Sequence, residues 1–274
     1  MPSILITGVS SGIGKAAAAR FAGVSWRVIG TVRDPEHEQA GATLAGVRLK
    51  ALDLNEPASI DRLAAEVLAD LGGAPDVLLN NVGMLLFKSV EDTTQEEFRR
   101  VFQVNVFGQV QLINAFLPAM RERGSGLIAN VTSLGGRLTF PFFAAYNSSK
   151  HALEGISEGL WHELKPFGIR VKAIEPGYVD TPIYKKAGVN VAGADLGSPA
   201  YQRSMFAMLR FEKGITKRTS PEAAAEEVWK AVNDPSDRLR YPIAAYARPL
   251  IAARRLAGDM TVMKVMHERW MGGK

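Results

Sequence analysis

Ile4-Leu5-Ile6 runs straight into Thr7-Gly8-Val9-Ser10-Ser11-Gly12-Ile13-Gly14, and a helical pattern follows at once. A wholly apolar strand that turns through glycines into a helix leaves few folds open. Both faces of the strand need cover, and the helix must fold back over the sheet to supply it. The same alternation continues along the chain. Strand-like runs stand at 3–7, 27–32, 48–53, 77–80, 127–132 and 170–175, and helical patterns at about 12–22, 57–71, 95–121 and 144–167. The expectation is an α/β single domain spanning 1–274, built on a doubly wound parallel sheet. Ligands of such sheets sit beyond the carboxyl ends of the strands. Gly8, Arg33, Asp53, Asn80, Ser133 and Pro176 all fall at or just past such ends.

The glycine turn itself points to an anionic ligand. Unpaired N–H groups and the positive end of the helix meet there, and glycine lets a phosphate approach the backbone. Composition limits the alternatives. With 274 residues, 47% of them hydrophobic, the chain can bury one large core. It has no cysteine, which excludes disulfides and thiol chemistry. The net charge is +5, yet no lysine/arginine block is present, so no nucleic-acid partner is expected. No apolar run approaches the roughly 20 residues of a membrane span. The first strand begins at Ser3, which leaves no room for a signal peptide, and a cytoplasmic location is expected. His37, His151, His162 and His267 show no ligand-like spacing, so no metal is expected.

Tyr146 and Lys150 open the helical pattern at 144–167, thirteen residues after a strand that ends in Ser133. Residues four apart share a helix face, with roughly 6 Å of rise between them. A free phenol has a pKa of about 10, and a neighbouring ammonium favours the phenolate. Such a tyrosine gives a proton to a nascent alkoxide or takes one from an alcohol, while a serine hydroxyl beside it holds the carbonyl oxygen. Of the six tyrosines, only Tyr146 has a lysine four residues on.

Taken together, Thr7-Gly8-x-x-x-Gly12-x-Gly14, Asn80-Asn81-Val82-Gly83, Asn105, Ser133, Tyr146-x-x-x-Lys150 and Pro176-Gly177-x-x-x-Thr181 resemble the classical short-chain dehydrogenase/reductases over about residues 2–182. The resemblance implies a Rossmann-type fold, hydride transfer between a nicotinamide and a carbonyl or alcohol carbon, and a homodimer or homotetramer. It implies Asn105, Ser133, Tyr146 and Lys150 as catalytic residues, Asn105 helping to hold a water near Lys150. Cofactor contacts are expected from Gly8, Ser10, Ser11, Gly12, Ile13, Gly14, Arg33, Asp53, Leu54, Asn80, Val82, Gly83, Tyr146, Lys150, Pro176, Gly177, Val179 and Thr181. Met84, Leu85, Leu134, Phe143 and Tyr178 match positions that border substrate, and they are mostly apolar. Two residues depart from the family pattern. Val82 stands where alanine is usual, and Val24-Ser25-Trp26 fills a turn that usually carries glycine, which predicts a strained backbone at Ser25. A non-catalytic dinucleotide sensor is the alternative function on this fold.

Which nicotinamide is bound turns on the end of the second strand. Asp34 stands about 20 residues after the glycine turn and by counting alone favours NAD(H). The strand, however, ends at Val32, and the residue that follows is Arg33, whose fork of donors suits a 2′-phosphate. NADP(H) is therefore expected, with Asp34 turning the chain. Residues 183–219 read as a substrate lid, with Met205 and Leu209 facing an apolar pocket. Residues 244–271 read as a C-terminal helical segment. The part at 244–257 packs on the domain or a partner subunit, or lies on a membrane surface.

Overall fold

The computed structural model describes residues 1–36, 44–187, 189 and 197–271, the side chain of Met271 excepted. His37 and most of the Gly188–Leu196 part of the expected lid lie outside the described residues. Seven strands form one parallel sheet in the order β3-β2-β1-β4-β5-β6-β7. They are β1 (Ser3–Ile6), β2 (Arg27–Val32), β3 (Val47–Ala51), β4 (Val77–Asn80), β5 (Gly126–Val131), β6 (Ile169–Pro176) and β7 (Arg240–Ile243). The helices are α1 (Gly12–Ala22), α2 (Pro57–Leu71), α3 (Gln95–Phe102), α4 (Gly108–Arg123), α5 (Ala144–Leu164), α6 (Ile183–Lys186), α7 (Pro199–Lys213), α8 (Pro221–Asn233), α9 (Ala247–Ala257) and α10 (Asp259–Met271).

Two cores follow from strand alternation. Ile4 and Ile6 face α1 and α8, joined by Val28, Val32 and Leu79. Leu5, Ile29 and Leu78 face the other way, into a layer built by Ile60, Leu63, Leu112 and Phe116 of α2 and α4. The chain winds from β1 out to β3, then crosses to β4 on the other side of β1. The order of strands therefore reverses between β1 and β4, and the crevice at their carboxyl ends is where such a sheet takes a ligand.

Two elements differ from the sequence reading. The helix expected over 95–121 is broken by a π-helical turn at Gln103–Phe107. Close packing explains the break: a Cβ on Gly108 would lie 2.7 Å from the carbonyl oxygen of Leu54, so the backbone here runs against the β3–α2 loop. The wider turn buries Val104, Asn105 and Val106 together. Strand β7 was missed because Arg240-Tyr241-Pro242-Ile243 is short and contains proline. Proline is tolerated because β7 is an edge strand. The remaining strands agree with the reading to within two residues at each end, and α5 stops three residues short of the expected 167, where a 3₁₀ turn takes over at Lys165–Phe167.

Ser25 has φ 61, the left-handed conformation expected of it. A non-glycine residue there costs about 1–2 kcal/mol, partly offset by the greater flexibility of a glycine in the unfolded chain. Ser25→Gly is predicted to stabilise the protein by about 0.5–1 kcal/mol, read as a raised urea midpoint at unchanged slope. A lowered midpoint would show that the serine side chain contributes more than its backbone costs.

Candidate active site

The glycine turn lies against the end of β4. Gly8 and Gly12 have φ 75 and 59, and a Cβ on Gly14 would come within 2.2 Å of the Gly8 carbonyl oxygen. Helix α1 thus starts pressed onto β1. Its N-cap, Ser11, makes no side-chain cap, and no acidic residue stands in the first turn. The hydroxyl and the first N–H groups of α1 are therefore available to an anion. Thr181 closes over the turn: a Cβ on Gly12 would meet its Cγ2 at 3.0 Å. Val82, the bulkier family variant, packs on Gly8 from the other side, where a Cβ would meet its Cγ2 at 2.8 Å.

Asn80 was expected at the cofactor, but its side chain turns into the sheet. Its Nδ2 donates to Asn130 Oδ1 at 3.0 Å, and Asn130 Nδ2 in turn donates to Ser157 Oγ at 2.9 Å. The side chain that shapes the crevice is Asn81, singled out only as part of its motif. Its Nδ2 donates to the carbonyls of Thr7 and Gly8 at 2.9 and 3.1 Å. Leu54 is likewise buried in the core beneath α4, so only its backbone borders the crevice. Asp53 accepts from the backbone N–H of Asn55 at 2.9 Å and turns the chain past β3. Asp34 Oδ1 accepts from the N–H of Glu36 at 3.1 Å, the turn role expected of it, while Arg33 is exposed.

Ser133 and Tyr146 are brought together as expected. A Cβ on Gly135 would lie 3.3 Å from Ser133 Oγ and 3.1 Å from the Tyr146 ring, so the two side chains stand together, and the Ser133 hydroxyl favours the phenolate. Lys150 is buried, and its Nζ donates to the carbonyl of Val131 at 2.8 Å. Burial brings its pKa down to about 8, and the Glu154 carboxylate one turn along α5 opposes that fall. Burial raises the Tyr146 pKa, and the neighbouring Ser133 hydroxyl opposes that rise. Gly83 leaves space over Lys150: a Cβ there would stand 3.6 Å from Nζ, at ordinary contact distance. The open glycines, the uncapped helix end and the ammonium facing Gly83 together fit a dinucleotide.

Both N–H bonds of the Asn105 amide are taken, by Met84 O at 2.8 Å and Ser149 Oγ at 2.9 Å, while its Oδ1 accepts from Met84 N at 2.7 Å and keeps a second lone pair. Met84 is drawn onto Asn105 and the core, away from the pocket for which it was expected. That pocket is lined by Leu85, Leu134, Phe143 and Tyr178 as expected, together with Phe140, Ile183, Tyr184, Met208 and Glu212. Met205 and Leu209 are buried behind it in the core beside α7, while Met208, from the same apolar run, is the one that lines it. Glu212 is a polar member that the apolar expectation missed. It pairs with Arg218 at 2.7 Å, and burial raises its pKa.

Residues 2–191 match the short chain dehydrogenase family. The chain belongs to that family. It is an oxidoreductase of the short-chain type, and the family binds nicotinamide dinucleotides. An uncharacterized oxidoreductase of Schizosaccharomyces pombe is 34% identical over 88% of this chain and 100% of its own length. The 17-beta-hydroxysteroid dehydrogenase type 1 of Mus musculus is 35% identical over 87% of this chain and 72% of its own. Among solved structures, a short-chain dehydrogenase from Streptomyces avermitilis superposes with a TM-score of 0.81 at 34% identity, covering 98% of this chain and 95% of that one.

Behind Lys150 this dehydrogenase carries a buried acidic pair that sequence reading passed over, although Glu154 stands one turn from Lys150 on the same face. Glu154 and Glu175 are both buried. Arg240 Nε lies 3.0 Å from Glu154 and 3.7 Å from Glu175, and Arg137 reaches Glu175 at 2.9 Å. Burial first, then the charge of Glu154, raises the Glu175 carboxyl to about 7 against the pull of both arginines. An unfolded glutamate ionises near pH 4.5, so the folded protein binds the extra proton between about pH 4.5 and 7. Stability is therefore lost as pH rises through that window. Glu175→Gln removes the titration, and the melting temperature of the variant relative to wild type is predicted to move in the variant's favour from pH 5 to pH 8. A difference that is flat or moves the other way would show that Glu175 is ionised throughout.

Proposed function

We propose that the protein is an NADP(H)-dependent oxidoreductase that interconverts a carbonyl and an alcohol on a hydrophobic substrate. The observation that carries this reading is that Ser133 and Tyr146 share the wall of a largely apolar pocket, with the buried Lys150 one helical turn behind Tyr146. The nicotinamide supplies or accepts the hydride when bound. Ser133 donates to the carbonyl oxygen and holds it beside the phenol, and Tyr146 gives that oxygen its proton. Because burial holds the phenol above its ordinary value, it stays protonated at neutral pH, the form that carbonyl reduction needs. Lys150, still charged below about pH 8, presents its ammonium toward Gly83, where it can hold the nicotinamide ribose. Asn105 is a positioning residue that fixes the backbone of Met84 and packs on Ser149 of α5. Residues 183–219 act as the lid over the pocket, which α6 and α7 border through Ile183, Tyr184, Met208 and Glu212.

Tyr146→Phe removes the ionisable proton and little volume. It is predicted to lower turnover at least about 100-fold while leaving cofactor affinity nearly intact. Lys150→Ala is expected to weaken cofactor binding and to slow turnover together. Steady-state kinetics with a cofactor titration checks both, and a Tyr146→Phe enzyme that keeps about a tenth of the rate would overturn the assignment.

The preference for NADP(H) rests on Arg33. Val32 ends β2 with its side chain buried, and the exposed Arg33 follows with no ion pair among the described residues. A guanidinium bound to a 2′-phosphate is worth about 1.5–3 kcal/mol, or roughly 10–100-fold in affinity. Wild type is predicted to favour NADPH over NADH in kcat/KM, and Arg33→Ala to lose most of that preference by weakening NADPH alone. A wild type that prefers NADH, or an unchanged ratio in the variant, would remove Arg33 from phosphate recognition and favour NAD(H).

A further inference from the structure

We propose that the cavity between α10 and residues 138–141 is a second chamber of the substrate site, taking the uncharged alkyl tail of a long-chain ketone or alcohol. The proposal rests on the carbonyl–alcohol reading above and adds the substrate class. The cavity beside Tyr146 has a volume of only about 50 Å³, room for no more than a few water-sized groups. The next cavity measures about 230 Å³ and is lined chiefly by Leu138, Phe140, Val262, Met263, Met266 and Trp270. Phe140 borders both cavities. Its ring stands 6.5 Å from that of Tyr178 in the catalytic pocket and 5.2 Å from that of Trp270 in the chamber. Trp270 also meets Phe211 of α7 at 6.0 Å, which ties the chamber to the helix whose Met208 and Glu212 line the catalytic pocket.

The walls of the chamber favour an uncharged chain, since His267, a titratable residue lining it, stands exposed to solvent. Arg254 and Asp259 line it, but they satisfy each other at 2.6 Å. An ionised tail would find no uncompensated partner in that pair. Met263 is 52% exposed at the mouth. The route therefore leads from the catalytic hydroxyl, past one aromatic ring on a loop, into an apolar space that opens among apolar side chains. Each methylene taken from water into such surroundings raises affinity about fourfold.

The test is kcat/KM for the series from butan-2-one to tetradecan-2-one, with NADPH and with NADH, in wild type, Met263→Trp and Thr139→Trp. The two tryptophans fill the chamber from opposite walls and replace half-exposed or exposed residues. Calorimetric titration of decan-2-one into each protein reads binding apart from turnover. Wild type is expected to gain at least tenfold between butan-2-one and the longest productive ketone, and either tryptophan to cut that long-to-short ratio at least fivefold. Turnover of short ketones with a flat chain-length profile, or a wild-type ratio in both variants, would overturn the chamber and leave the carbonyl reading standing. Saturable binding of decan-2-one that the tryptophans weaken, without turnover of any ketone, would support the chamber and overturn the carbonyl reading. Absence of decan-2-one binding as well would overturn the chamber.

Discussion

The crevice depends on one exchange of hydrogen bonds between the ends of β1 and β4. Thr7 Oγ1 accepts from the N–H groups of Asn81 and Val82 at 2.9 and 3.1 Å, and Asn81 Nδ2 returns bonds to the carbonyls of Thr7 and Gly8. Side chains do here what strand pairing no longer can, because β1 and β4 have stopped pairing and the chains are diverging. The bonds hold Gly8 open at its positive φ, and α1 can then approach closely at Gly14. Were the two strand ends free to splay, the helix end and Gly83 would lose their common register. The glycine turn and Gly83 are thus positioned by one buried threonine and one amide.

The side that carries Tyr146 is built differently, from helix α5, whose first turns meet the end of β5 and whose length packs along the sheet beside β6. Tyr146 and Lys150 share one face of α5, and Glu154 continues that face into the buried acidic pair. Lys150 is therefore held between a carbonyl that accepts from it and a carboxylate that favours its charge. Its neighbours decide how much charge a buried ammonium keeps at neutral pH. The acidic pair is itself held by Arg137, beside the 3₁₀ turn that follows Ser133, and by Arg240 of β7. The last strand of the sheet, remote from the site in sequence, thus carries a charge that reaches it through Glu154.

Local signals made most of this legible before the coordinates. Apolar runs between glycine turns gave the first six strands, because a doubly covered parallel strand has no polar face to hide it. Tyr146 and Lys150 were legible from their spacing together with the strand ending in Ser133 just upstream, and the Ser25 strain from a missing glycine. What escaped reading depends on pairing over long sequence distances. β7 exists because Arg240-Tyr241-Pro242-Ile243 finds the open edge of β6, not because its own pattern demands a strand. The π-helical turn at Asn105 comes from the Leu54 backbone pressing on Gly108, about fifty residues earlier in the chain. On α7, apolar periodicity announced a buried face, but which of Met205, Met208 and Leu209 meets the pocket is set by where the helix is docked.

Among the described residues, five of the seven buried side-chain atoms without a hydrogen-bond partner lie around the same site, Asp70 Oδ2 and Trp229 Nε1 being the two that do not. Asn80 Oδ1, Gln109 Oε1, Asn147 Oδ1, Glu154 Oε1 and Glu175 Oε2 are all buried in this way, and their residues flank the crevice, the Asn105 turn, the Tyr146 helix or the end of β6. Each such atom costs stability that an apolar residue of the same shape would not. A core chosen for stability alone would remove them. Their concentration here follows from the task of keeping a phenol, an ammonium and two amide networks in fixed orientation at strand ends, where backbone partners run out. Folds depart from local consistency at functional sites and offset the cost elsewhere. In this chain the offset lies in the two apolar layers that cover β1 and β4 on both faces, which hold the strand ends still while the polar groups beyond them stay under strain.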